Sequence, residues 1–280
     1  MLLVIDWNAN PEIINLFGFS LRWYGLMFAC AFLAGFQVVS YIFKKEGRPA
    51  EQADQLLMYA MVATVIGARA GHYFFYEYPS LMADPLDFFY KMIKPPYAGL
   101  ASHGGAIGLF TAFYLYTRKH KDQKFLYITD RVVPAVALAG FFIRLGNLMN
   151  SEIIGKPTDV AWAFRFPENP EYRQRALDLI YQAPRHPSQL YESLSCFILF
   201  LLLMWLWSLK KENTRHGLLT GIFMIILFTL RFLYEFLKEN QSDFENSMSL
   251  NMGQWLSIPG VLFGIIVLFI AFKNKKDIES

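Results

Sequence analysis

Seven apolar stretches, each near the length needed to cross a bilayer, recur through this 280-residue chain. Their approximate limits are Leu21–Phe43, Leu56–Phe75, Gly99–Thr117, Leu126–Asn147, Gln189–Leu209, Gly217–Phe236 and Trp255–Phe272. A hydrocarbon core of about 30 Å takes roughly 20 helical residues. Backbone amides in lipid have no water to bond, so each segment must close its hydrogen bonds within itself, as a helix does. The chain is therefore expected to be an all-α membrane protein with seven transmembrane helices. Hydrophobic residues make up 55% and charged residues only 18%, against about 25% charged in soluble domains. That balance excludes an ordinary soluble domain.

Basic residues alternate in density between these stretches. Lys44, Lys45 and Arg48 follow the first, and Arg118, Lys119, Lys121 and Lys124 follow the third. Lys210, Lys211 and Arg215 follow the fifth, and Lys273, Lys275 and Lys276 the seventh. The loops at Tyr78–Pro96 and Glu239–Gln254 are sparse in Lys and Arg. Because cytoplasmic loops carry the positive excess, the N-terminus is expected outside and the C-terminus in the cytoplasm. Arg165, Arg173, Arg175 and Arg185 would lie outside, in a loop long enough for the rule to weigh lightly.

Residues 1–280 read as a single polytopic membrane domain with one sizeable polar insert, 155–187, between the fourth and fifth spans. Pro157, Pro167, Pro170, Pro184 and Pro187 predict a small irregular external cap there, with one short helix around Tyr172–Tyr181. The cap is either a connector or a lid over a site. Asp6 and Glu12, rather than basic residues, precede the first apolar run, which so reads as a mature helix and not a cleaved leader. Cys30 and Cys196 lie inside apolar runs and offer neither a disulfide framework nor metal-ligand spacing. The net charge of +3 is small and its basic residues fall in loops, so no nucleic-acid partner is expected.

Four polar clusters break the apolar pattern. Arg231 lies well inside the sixth run, where an arginine costs about 2.5–3.5 kcal/mol on insertion scales. Glu235, four residues on, would share its helix face and pair with it. The fourth run ends in Arg144-Leu145-Gly146-Asn147-Leu148-Met149-Asn150-Ser151-Glu152-Ile153-Ile154-Gly155, more polarity than interfacial anchoring requires. Arg22-Trp23-Tyr24-Gly25 stands at the outer mouth of the first span, where Trp and Tyr also serve as anchors. Ser102-His103-Gly104-Gly105 opens the third, with glycines leaving room for a ligand beside His103, although a lone histidine at a membrane edge is more often simply hydrogen-bonded. Arginine presents a planar, always charged fork of donors that suits phosphate, which bilayer lipids supply. Two such residues could hold a phospholipid head group and stabilise a departing phosphate, with His103 as general base.

At these motifs the chain resembles the prolipoprotein diacylglyceryl transferases, over most of its length. The resemblance rests on the clusters at Arg22, Ser102 and Arg144, and on Arg185-His186-Pro187-Ser188-Gln189-Leu190-Tyr191-Glu192. It continues in Arg231-Phe232-Leu233-Tyr234-Glu235-Phe236 and Gly253-Gln254-Trp255-Leu256-Ser257-Ile258-Pro259. It implies transfer of the diacylglyceryl group of phosphatidylglycerol to the lipobox cysteine of a pre-lipoprotein in the bacterial inner membrane. A thioether forms and glycerol phosphate leaves, in the first step of lipoprotein maturation. The implied partners are phosphatidylglycerol and the pre-lipoprotein signal peptide, and no metal or organic cofactor is implied.

By the same resemblance, Arg144 and Arg231 would hold the phosphate and His103 would be the base. Tyr24, Gly104, Asn147, Asn150, Glu152 and Gly155 would serve substrate binding or site integrity, and Glu192 and Glu235 would orient the arginines. The chain departs from the family pattern at Ile143, where Gly is common, and at Leu148, where Phe is common. Lys238, read as a position on the rim, stands where an Arg is often found. Two other readings use the same arginines. One is a transporter or lipid-binding protein, against which the absence of an internal repeat counts; the other is a phospholipid-consuming enzyme with a different acceptor.

Overall fold

The computed structural model describes residues 4–16, 19–94, 101–167, 183–240, 245 and 247–273. Among them, helices are α1 (Trp23–Lys45), α2 (Ala50–Tyr76), α3 (Tyr78–Ala83), α4 (Pro85–Ile93) and α5 (Ser102–Lys119). They continue with α6 (Phe125–Met149), α7 (Ser188–Lys210), α8 (Leu218–Tyr234) and α9 (Met252–Lys273). Short 3-10 turns, Lys211–Asn213 and Glu235–Leu237, extend α7 and α8. The fold is that of an all-α, multi-pass membrane protein. Among the described residues, five helices are long and apolar enough to cross a membrane: α1, α6, α9, and α7 and α8 with their extensions. The other two expected spans coincide with α2 and α5, which fall short in apolarity. Small residues fill the face that α2 and α5 share, and α2 also carries Glu51, Asp54 and Arg69.

The chain forms two compact units, one of Met1–Val39 with Asp130–Ser280 and one of Ser40–Thr129. In the second unit α2 and α5 meet through glycines four residues apart on each helix, Gly67 and Gly71 against Gly104 and Gly108. A Cβ added at Gly71 would lie 2.6 Å from the Gly104 Cα. Small residues at this spacing let helix backbones approach, and van der Waals contact then holds them where lipid offers no hydrophobic drive. Arg69, buried on α2, donates from Nε to the Met92 carbonyl (3.0 Å) and from Nη2 to the Lys91 carbonyl (2.9 Å). These are last-turn carbonyls of α4 that have no intrahelical partner, and a cation there also meets the negative end of the helix dipole.

In the first unit, adjacent buried charges on α6 organise the turn between α7 and α8. Asp130 accepts from the Gly217 N–H (2.7 Å), the Thr220 N–H (2.8 Å) and the Thr220 hydroxyl (2.6 Å), capping α8 from another helix. Arg131 donates to the carbonyls of Lys211 and Glu212. Gly217 stands at φ +95°, a conformation that favours glycine. Asp130→Ala would leave these N–H groups buried without an acceptor. It is expected to cost about 2 kcal/mol, seen as a fall of several degrees in the thermal midpoint in detergent; an unchanged midpoint would remove the capping role.

Helix α9 begins with a reciprocal cap. The Gln254 N–H donates to Asn251 Oδ1 (2.9 Å), and the Asn251 N–H donates to Gln254 Oε1 (3.0 Å). This is the capping-box arrangement, readable in the sequence as Asn-x-x-Gln. Helices α8 and α9 then pack through Gly221, Gly260 and Gly264, with an added Cβ at Gly264 only 3.0 Å from the Gly221 carbonyl oxygen.

The described part of the 155–187 segment is irregular, apart from a short strand that the sequence pattern did not predict. Strand β1 (Ile5–Asp6) pairs in parallel with β4 (Phe164–Arg165), and β2 (Glu12–Leu16) pairs antiparallel with β3 (Phe19–Arg22), which leads into α1. Leu148, Ile154, Phe164 and Phe166 form a small apolar cluster with Trp7 and Leu190. Trp7 fixes its own ring by donating Nε1–H to the Leu148 carbonyl (2.9 Å). The short helix expected around Tyr172–Tyr181 lies outside the described residues.

Candidate active site

The polar site of the first unit is built where α6 ends. After Met149 the chain turns sharply, with Ser151 at φ +52° and Ile153 at φ +56°. A left-handed β-branched residue is strained by roughly 1–3 kcal/mol and persists only where its surroundings fix it. Here Ser188 Oγ donates to the Ile153 carbonyl (2.8 Å), Gln189 Nε2 donates to the Glu152 carbonyl (2.7 Å), and the Glu152 N–H reaches back to the Asn147 carbonyl (3.1 Å). The start of α7 therefore holds the turn by hydrogen bonds from two side chains.

That turn aims the signature side chains at one another. Arg144 forms an ion pair through Nε with Glu192 on α7, and its Nη1 donates to Asn147 Oδ1 (3.0 Å). Asn147 and Asn150 both donate through Nδ2 to Glu152 Oε1, at 2.8 and 3.3 Å. Tyr24, near the start of α1, lies against Gly146, where an added Cβ would meet its ring at 3.0 Å. Its phenol is within electrostatic reach of Glu152 and Arg144. The amides thus pass hydrogen bonds from the arginine to a second carboxylate, locking rotamers that would otherwise be free.

From Glu192 the network runs to α8. Lys238 Nζ lies 2.9 Å from Glu192 Oε1 and 2.7 Å from Glu235 Oε1, and Asn251 Nδ2 donates to Glu235 Oε2 (3.0 Å). Lys238 is 2% exposed, so it does not lie on a rim. Gly253 leaves the space that Glu235 occupies, since an added Cβ would fall 2.6 Å from its Oε1. The expected Arg231–Glu235 pair is not formed among the described residues. The chain tightens to a 3-10 turn at Glu235–Leu237, and residues three apart eclipse in such a turn, which sets Lys238 beside Glu235. Arg231, half-buried, makes no hydrogen bond or ion pair with a described residue; its Nε is buried without a partner, and its charge reaches Glu192.

Gly155 is a junction of three strands of chain. Its N–H donates to the His186 carbonyl (3.1 Å), its carbonyl accepts from Arg185 Nη1 (3.1 Å), and it bridges to Lys238. An added Cβ would lie 2.6 Å from His186 Cβ and 2.9 Å from the Leu237 carbonyl oxygen, so the residue serves close backbone approach. Arg185, 2% exposed, also pairs with Glu239 at 2.5 Å. Beside it, His186 Nδ1 is 3.2 Å from the Tyr191 hydroxyl, which accepts from Trp162 Nε1 (2.7 Å). Burial holds His186 below the usual imidazole range, which favours the neutral ring.

His103 and Gly104 belong to the second unit. The His103 ring lies 4.9 Å from that of Phe75 and 5.8 Å from that of Tyr76. Gly104 is buried between α2 and α5, where it brings the two backbones together. Two contributors were not foreseen from the sequence: the bridging role of the Lys238 ammonium and the cap residue Asn251. The packing of Gly104 and Gly108 against Gly67 and Gly71 could have been signalled by their four-residue spacing.

Apolar helices around a connected set of a half-buried arginine, a buried lysine and buried carboxylates define a multi-pass membrane protein with a polar, anion-suited centre. Comparison with known sequences narrows this. The profile of the family described as prolipoprotein diacylglyceryl transferase matches residues 11–270. The phosphatidylglycerol–prolipoprotein diacylglyceryl transferase of Bacteroides fragilis is 44% identical over 98% of each chain. That of Tolumonas auensis is 43% identical over 97% of this chain and 99% of its own. That of Chloroherpeton thalassium is 42% identical over 97% and 96%. The chain belongs to the prolipoprotein diacylglyceryl transferase family.

Proposed function

We propose that this protein transfers the diacylglyceryl group of phosphatidylglycerol to the lipobox cysteine of pre-lipoproteins, with Arg144 and Arg231 as ligands of the lipid phosphate. Diacylglyceryl transfer is the activity of the family, and it takes place in the bacterial inner membrane. The cysteine sulfur attacks the glyceryl carbon that bears the phosphate ester. A C–S bond forms, the C–O bond breaks, and the electron pair leaves on glycerol phosphate. The enzyme must take the thiol proton and stabilise charge on the departing phosphate.

The observation that carries this reading is the contrast between the two arginines. Arg144 is held by Glu192 and Asn147, while Arg231 has no protein partner among the described residues. A cation in a span with no hydrogen bond or ion pair to a described carboxylate suits an incoming anion, and a phosphodiester in lipid is one. Asn147, Asn150 and Glu152 fix Arg144 from one side. Tyr24 closes that side, Gly155 sets the backbone approach, and Glu192 and Glu235 balance the cations.

His103 is the proposed base, and Gly104 keeps its helix in place. His103→Gln is expected to lower kcat by about 100-fold or more, within the range for loss of a general base, with little change in KM for phosphatidylglycerol. Near-normal kcat would move sulfur activation to another group. The basic loops further support seven spans with the N-terminus outside and the C-terminus cytoplasmic, in a single domain capped externally by residues 155–187.

The activity is tested with purified protein and phosphatidylglycerol labelled in its acyl chains. One lipobox peptide keeps its cysteine and a second carries serine there. Label on the cysteine peptide alone, with equimolar glycerol phosphate released, is the expected result. Lipid binding without label on either peptide would point to a lipid carrier instead.

A further inference from the structure

Lys238 is a fully buried ammonium with two carboxylates, Glu192 at 2.9 Å and Glu235 at 2.7 Å. A lysine just beyond a membrane span ordinarily extends its amine toward water. This one turns inward, and burying an ammonium has a large desolvation cost unless it is paired. Glu192 already has Arg144. Glu235 has Asn251, which is neutral, and Lys238. Without Lys238, the cation nearest to Glu235 along its own chain is Arg231, four residues earlier, the spacing at which helical side chains meet.

We propose that Lys238 is a positioning residue that occupies Glu235 and thereby keeps the Arg231 guanidinium free for the phosphate of the lipid. The proposal rests on the reading of Arg231 as a phosphate ligand. It accounts for an Arg231 Nε that stays unpartnered although a carboxylate, Glu235, follows four residues later in the chain. It also gives the 3-10 turn at Glu235–Leu237 a purpose, because that turn sets Lys238 over Glu235. Gly253 contributes by leaving room for the Glu235 carboxylate on this side.

The test measures KM for phosphatidylglycerol in mixed micelles, kcat with a lipobox peptide, and the thermal midpoint. It compares wild type with Lys238→Met, Lys238→Met combined with Glu235→Gln, and Arg231→Gln. Lys238→Met is expected to raise KM by about tenfold or more, the scale of a lost charge-assisted hydrogen bond. Adding Glu235→Gln removes the competing carboxylate and is expected to bring KM back to within roughly threefold of wild type. A KM that stays at the wild-type value in folded Lys238→Met, while Arg231→Gln raises it, overturns the assignment of Lys238 alone. An Arg231→Gln protein with unchanged KM overturns the phosphate reading beneath it. Should Lys238→Met not fold, the double variant decides: KM near wild type upholds the proposal, and a tenfold rise refutes it.

Discussion

Arg231→Lys is expected to reduce diacylglyceryl transfer by at least about 100-fold while leaving the thermal midpoint within a few degrees of wild type. Removal of one preorganised donor to a developing oxyanion typically costs two to three orders of magnitude. Lysine keeps the charge but concentrates it at a point, whereas the guanidinium offers parallel donors to two phosphate oxygens. Stability should hardly change, because Arg231 has no protein partner among the described residues to lose. Folded Arg231→Lys protein with wild-type turnover would take Arg231 out of the phosphate site.

Glu192→Ala should act differently, through stability as well as activity. Glu192 lies between Arg144 and Lys238, and its side chain is 9% exposed. Its removal leaves two cations facing each other with no carboxylate between them. Breaking a buried pair in this way costs about 3–5 kcal/mol, enough to lower the yield of folded protein sharply. Glu192→Gln keeps the volume and one acceptor, and should fold better while still misplacing Arg144. The two variants are compared by thermal unfolding and by turnover per folded molecule. If Glu192→Ala unfolds at the wild-type temperature, the carboxylate does not hold these cations together.

Much of this site could be read from residue type alone, because lipid makes charge conspicuous. Arg231 and the Arg144–Gly155 run stood out through the cost of polar groups in apolar surroundings, and the structure gathers most of that run at the end of α6. Pairing was harder to read. The i,i+4 rule joined Arg231 to Glu235, but it assumes an unbroken α-helix, and the 3-10 turn gave Glu235 to Lys238 instead. Nothing local to Lys238 signals that it turns inward, since Glu192 lies 46 positions earlier in the chain. The Asn251–Gln254 cap and the glycine pairs of α2 and α5 were legible as spacings. The parallel pair Ile5–Asp6 with Phe164–Arg165 was not, because strands this short show no periodicity and their partners are remote in sequence.

In the proposed reaction phosphate departs as glycerol phosphate while sulfur attacks carbon. The most direct test uses phosphatidylglycerol carrying oxygen-18 at the bridge between the diacylglyceryl carbon and phosphorus. Carbon–oxygen cleavage predicts that the released glycerol phosphate retains the heavy oxygen and that the lipidated peptide carries none. Heavy oxygen retained on the diacylglyceryl half would mean that phosphorus, not carbon, is attacked, and would contradict the role given to both arginines.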